Sequence, residues 1–267
     1  MMMPEIWVSI AAALLGVAVI AGGMVLLAGR KSWGIVAIGA RVAALAALIV
    51  ALIAAVMASG QWTASDRQQA MLSLVVAMEA IHLVFVWRLG VVSAGPIVDV
   101  IALTLGLVGV FLIPASAPSL ICAQQASLSQ VHWVLFLLGG GSVLVAACAG
   151  LTLALRGLLV WRGLELQLPE SLPLHGLLRH AAALALAALG SGLLTGVWWA
   201  WRTTGVMLGA NAREMWMAVV WLITAMSLLA WQLDDRRSQW AAGLALVAAV
   251  AKVVGLLFPV GVGFGGI

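Results

Sequence analysis

The chain has 267 residues, 65% of them hydrophobic and only 8% charged, a composition that excludes an ordinary soluble domain. Its net charge of +4 arises from 13 Lys and Arg against 9 Asp and Glu, a surplus that membrane topology accounts for without nucleic acid as a partner. Continuous apolar runs stand where a β-barrel would need alternation, so the expected fold is all-α, polytopic and integral to the membrane.

At about 20 apolar residues per crossing, eight spans fit one transmembrane domain over residues 1–267. In chain order they are 6–28, 33–58, 70–87, 91–114, 131–155, 181–201, 215–231 and 240–258. The first span has no basic leader and no clean cleavage site, so a retained helix is expected. Spans two, three, four and eight carry Arg41, Glu79 with His82, Asp99 and Lys252. A charge inside the bilayer is costly unless it is paired or faces water. Glu79 and His82 are three residues apart and share a helix face. They are candidates for a proton relay or for holding a cofactor, with His82 a possible haem ligand. The alternatives are structural: Glu79 or Asp99 neutralises Arg41 or Lys252, and His82 is a hydrogen-bonded packing residue.

Cys122 falls between spans four and five and Cys148 about halfway through span five, a separation that argues for two free thiols. No C-x-x-C-H motif occurs, so no c-type haem attachment is expected on this chain. His132 sits at the outer edge of span five, where a neutral imidazole is a candidate iron ligand or an ordinary interfacial histidine. Gly139, Gly140 and Gly141 point to a tight helix crossing in the same span. His175 and His180, beside Pro173 and Arg179, are expected as loop and helix-entry residues on the cytoplasmic side.

Residues 196–221, GVWWAWRTTGVMLGANAREMWMAVVW, hold five of the 13 tryptophans of a chain that has no tyrosine. Indole rings favour the lipid–water boundary, so the segment reads as a platform at the membrane surface for a flat amphiphilic ligand. Arg30, Lys31, Arg88, Arg156, Arg162, Arg179, Arg236 and Arg237 fall in or beside alternate connections, which are therefore expected to be cytoplasmic. Arg67, Arg202 and Arg213 fall on the other face, and both termini are expected on that outer, periplasmic side. The DDRR at 234–237 reads as a solvated turn and the terminal GVGFGG as a flexible end. Walker, HExxH and nucleophile-elbow motifs are absent from the sequence, so no catalytic residue is assigned and no side-chain catalysis is expected.

Several stretches over about residues 130–263 together resemble the integral-membrane cytochrome c assembly proteins of the CcsA, ResC and CcmC type. His132 matches the family's outer-face histidine, and SLPLHGLLRH its LP-containing cytoplasmic connection. LGSGLLTGVWWA is similar to the span-six ending, with Thr195–Gly196 followed by Trp199–Ala200. AREMWMAVVWLITAM resembles the following helix, with Arg213 in place of lysine and Glu214, Trp216 and Trp221 kept. Pro96 matches a family proline in span four. Gly205 is retained, but Thr204, Leu208, Ala210 and Asn211 stand where the family's tryptophan–aspartate signature falls. Leu229 replaces a histidine near the end of span seven, and FPVGVGFGG lacks the one after span eight. These departures place the resemblance nearest the divergent eight-span HemX and YpjD branch.

The resemblance implies a haem-handling protein of cytochrome c biogenesis or related haem metabolism, in a bacterial cytoplasmic (inner) membrane, presenting haem at the outer face. It implies His132 as the axial metal ligand, with Trp198, Trp199, Trp201 and Trp216 as the stacking surface and Arg202 or Arg213 pairing with propionates. Implied partners are the lipid bilayer and other membrane proteins of cytochrome maturation. The worn signature leaves a second expectation of another class, a non-catalytic structural or assembly subunit of a respiratory or photosynthetic complex. A small-solute transporter built on Arg41, Glu79 and Asp99 would need the inverted repeat or paired broken helices that the sequence lacks.

Overall fold

The computed structural model describes residues 4–28, 32–59, 67–91, 94–112, 126–163, 171–205, 212–233 and 238–257. Among them run eight α-helices: α1 Pro4–Ala28, α2 Ser32–Ser59, α3 Arg67–Leu89, α4 Gly95–Leu107, α5 Ala126–Trp161, α6 Ser171–Thr204, α7 Ala212–Leu233 and α8 Ser238–Leu257. Each matches one expected span, and the chain is a multi-pass membrane protein by the length and hydropathy of all eight segments. Cys122, Arg30, Lys31, the DDRR turn, the GVGFGG tail, and Leu208, Ala210 and Asn211 of the tryptophan-rich segment lie outside the described residues.

The elements differ from the sequence expectation mainly at their ends. At 36 and 34 residues, α5 and α6 are each ~50 Å long, well beyond a ~30 Å hydrocarbon core. Hydropathy marks where a helix leaves lipid, whereas its hydrogen-bond ladder continues. The SLPLHGLLRH stretch, read as a connection, is therefore the start of α6, and His175 and His180 are helical. Pro173 is tolerated there because the first turn has amide groups with no intrahelical acceptor. Span four begins at Gly95, so Pro96 sits in the first turn of α4 and does not kink it. That span ends in a π-helical turn, Val108–Leu112, which continues directly from α4.

Two four-helix groups make up the fold. In the first, α1 packs on α2 and α4, and α3 on α2 and α4; in the second, α5 packs on α6 and α8, and α7 on α6 and α8. The α3–α5 contact is the main joint between them. At that joint the three consecutive glycines have divided tasks. A Cβ on Gly139 would lie 3.0 Å from the Leu189 amide of α6, and one on Gly140 would meet Leu74 of α3 and Lys252 of α8. One on Gly141 would lie 2.9 Å from the Met78 amide of α3. Gly150, further along α5, leaves the same room for Ala242 of α8. Where lipid replaces water as solvent, such close approach supplies packing that the hydrophobic effect does not.

Gly141→Ala forces the α3 backbone away and is expected to cost ~1–3 kcal/mol, the usual range for overpacking. Gly16→Ala, whose Cβ meets nothing within 4 Å, is expected to leave the midpoint unchanged. Thermal unfolding followed by tryptophan fluorescence in detergent compares the two.

Candidate functional site

The end of the bundle where α5 begins and α6 finishes holds the histidine singled out by the sequence. Helices α5 and α6 run antiparallel with glycines of α6 facing larger side chains of α5: Gly192 against Phe136, and Gly196 against the His132 ring. A Cβ on Gly196 would stand 3.0 Å from Nδ1, so this glycine makes the space that the imidazole occupies. Phe136, one turn along α5, holds the ring edge-on at a centroid distance of 4.4 Å.

His132 Nδ1 lies 2.7 Å from the Gly192 carbonyl oxygen. A carbonyl only accepts, so Nδ1 carries the proton and the lone pair of the neutral ring is on Nε2. Thr195 stands 3.5 Å from Nδ1, and its hydroxyl donates to the Ser191 and Gly192 carbonyls at 3.0 and 2.9 Å. This is how a metal-binding histidine is prepared: one nitrogen is tied to a backbone oxygen and the other keeps its basic lone pair.

The tryptophans divide into two groups. Trp198 and Trp201, in the last turns of α6, remain 46% and 48% exposed, and the Arg202 guanidinium lies 5.8 Å from the Trp198 ring centroid. Trp199, between them, is half-buried. In contrast, Trp216 donates its indole N–H to the Ala251 carbonyl of α8 at 2.7 Å, and its ring fills the space over Gly255. Trp221 donates to the Leu186 carbonyl of α6 at 3.0 Å. These two rings join helices, so the exposed aromatic surface of segment 196–221 belongs to α6. Gly205, with φ +74°, ends that helix by a bond from its amide to the Trp201 carbonyl at 3.0 Å, the left-handed cap that glycine adopts without strain. The backbone of Arg213 and Glu214 opens α7.

His82 lies elsewhere. Helices α3 and α5 run parallel, with Leu74 beside Gly140 and Met78 beside Gly141, so His82 is ~20 Å deeper along the bundle than His132 at 1.5 Å per residue. The structure does not bring these two histidines together. His82 instead shares a buried polar centre with Arg41, Glu79 and Asp99, all with no solvent exposure. Arg41 Nε donates to both Asp99 carboxylate oxygens at 2.8 and 3.0 Å, and Nη2 donates to Oδ2 at 2.8 Å. Of the pairings open to the sequence, Asp99 with Arg41 is the one that forms. Its guanidinium fits because Gly95 has no side chain: a Cβ there would land on it. Lys252 donates to Met217 Sδ at 3.2 Å, with the Phe136 ring 5.8 Å from its ammonium.

Opposite the His132 end, Arg88 lies over Trp87 at 4.9 Å and Arg179 over Trp231 at 4.5 Å. Arg156, Trp161 and His175 line a groove of about 750 Å³ between α5, α6 and α8 at that same end. Cys148 is buried and free.

Among solved structures, the chain is similar to a protein described as cytochrome c heme lyase CcmF, with a TM-score of 0.67 and 19% identity. The likeness covers 96% of this chain and 47% of that one, so this chain spans about half its length. At this identity the two share a fold. The likeness takes in both four-helix groups, whereas the sequence resemblance was concentrated in the second. No family model matches the chain, and no curated protein does.

Removing one partner of the buried ion pair leaves an uncompensated charge, typically a loss of ~3–5 kcal/mol. Arg41→Leu alone is expected to fall in that range, and Arg41→Leu with Asp99→Leu to recover most of it. A double-mutant cycle on thermal midpoints measures the recovery.

Proposed function

We propose that this chain is a haem-handling membrane protein of cytochrome c biogenesis, holding haem at the end of the bundle where α5 begins. The observation that carries the reading is the His132 imidazole, bound through Nδ1 to the Gly192 carbonyl and left with its lone pair on Nε2. The fold shared with a protein named as a cytochrome c heme lyase supports it. Among the described residues no three His, Cys, Asp or Glu side chains gather as a site for a bare ion. A haem iron fits this donor set better, since its macrocycle supplies the equatorial ligands and the protein need add only an axial one.

In this reading His132 would hold the haem iron, and Trp198, Trp199 and Trp201 would form the apolar face. Trp216 supports that face from α7 through its tie to Ala251. Arg202 or Arg213 would pair with carboxylates of the macrocycle rim, where guanidinium groups bind best. His82 belongs to the buried centre and takes no part at this end. Haem would supply the iron and its redox chemistry; the protein orients the imidazole and fixes the ring's tautomer.

The end bearing His132 is read as the outer, periplasmic side, with both termini there, in a bacterial cytoplasmic membrane. Arg88, Arg156, Arg162 and Arg179, near the opposite helix ends, support that orientation through the excess of basic residues on cytoplasmic faces. The divergent HemX and YpjD type remains the nearest family reading. Partners are then membrane proteins of cytochrome maturation. A second reading, a non-catalytic structural or assembly subunit of a respiratory or photosynthetic complex, is favoured by one observation: Thr204, Leu208, Ala210 and Asn211 replace the family's signature.

Protein purified from haem-replete membranes is expected to show a Soret band that His132→Ala abolishes and Trp198→Ala weakens. Absence of the band from the unmutated protein, together with stoichiometric recovery of a respiratory or photosynthetic complex, would establish the second reading instead.

A further inference from the structure

The buried centre between α2, α3, α4 and α5 is not electrically balanced by its side chains in their usual charge states. Arg41 and Asp99 cancel one another through three hydrogen bonds. Glu79 of α3 faces the same centre within Coulombic reach of both, and as a carboxylate it would leave the centre with one uncompensated negative charge.

Neither Glu79 oxygen receives a hydrogen bond, neither ring nitrogen of His82 has a partner, and Arg41 Nη1 has none. Both Glu79 and His82 have zero exposure. Around them, α2 contributes Arg41, α4 contributes Asp99, and α5 contributes the Cys148 thiol, which faces both carboxyl groups. Lys252 of α8 donates to Met217, with the Phe136 ring 5.8 Å from its ammonium. Arg41 Nε and Nη2 are committed to Asp99, and Gly95 lies against the guanidinium.

A carboxylate with no donor, out of reach of water, is among the most unfavourable states a side chain can occupy, and one proton removes the charge. We propose that this centre is a membrane-embedded proton-binding site, in which Glu79 holds one proton as the neutral acid beside a neutral His82 on the same helix face.

With Glu79 protonated and His82 neutral, the Arg41–Asp99 pair leaves the centre with no net charge in the membrane. The proposal uses none of the residues assigned to haem and stands or falls separately from that reading.

Infrared spectroscopy of the full chain in lipid nanodiscs at neutral pH tests it. A protonated-carboxyl C=O band is expected that moves on ¹³C-glutamate labelling, stays put on ¹³C-aspartate labelling and disappears in Glu79→Gln. Should that variant fail to fold, the labelling result on the unmutated chain decides. Transfer of the chain to D₂O is expected to shift the band. A spectrum with no protonated-carboxyl band, or one that follows labelled aspartate, overturns the site.

Discussion

The close approach of α5 to its neighbours is the constraint on which the rest of the structure depends. Gly139, Gly140 and Gly141 leave no side chain between its backbone and α6, α8 and α3, and α3 is the main contact from one four-helix group to the other. In a bilayer, apolar side chains gain little by leaving lipid for protein, so fit and polar contacts must hold helices together. Once α5 is seated, the depths of its neighbours follow. His132 meets Gly196 because Leu189 meets Gly139, and the Glu79 face of α3 looks into the bundle because Met78 rests on Gly141.

The same logic of removed side chains creates both polar features. Gly196 opens the space for the imidazole, and Gly95 the space for the Arg41 guanidinium. Each polar group then receives a particular partner, the Gly192 carbonyl for His132 and the Asp99 carboxylate for Arg41. Apolar packing tolerates many substitutions of similar volume, while these polar contacts require particular atoms in particular places. The two features lie at different depths, which fits two separate jobs: ligand holding at one end and proton holding in the interior.

Reading along the chain locates the helices well because a membrane imposes a long apolar run on each crossing. It fails at helix ends, as in SLPLHGLLRH, because apolarity stops at the lipid boundary and the backbone ladder does not. Tryptophan content identified 196–221 as unusual, but it did not distinguish the exposed Trp198 and Trp201 from Trp216 and Trp221, whose N–H groups are used between helices. That distinction turns on what lies opposite each ring. The pairing of Arg41 with Asp99 was one of several open to the sequence, since Glu79 and Lys252 had equal claims until the helix rotations were known.

The sequence by itself determined that this is an eight-span helical membrane protein with charged groups in its interior and an aromatic segment between spans six and seven. Those properties are local, set by hydropathy over about 20 residues and by residue type. Only the tertiary structure decided which groups meet: His132 with Gly192, Arg41 with Asp99, and Glu79 and His82 with no hydrogen-bond partner. Such pairings join residues about 60 positions apart through the rotation and depth of separate helices, which no local pattern encodes.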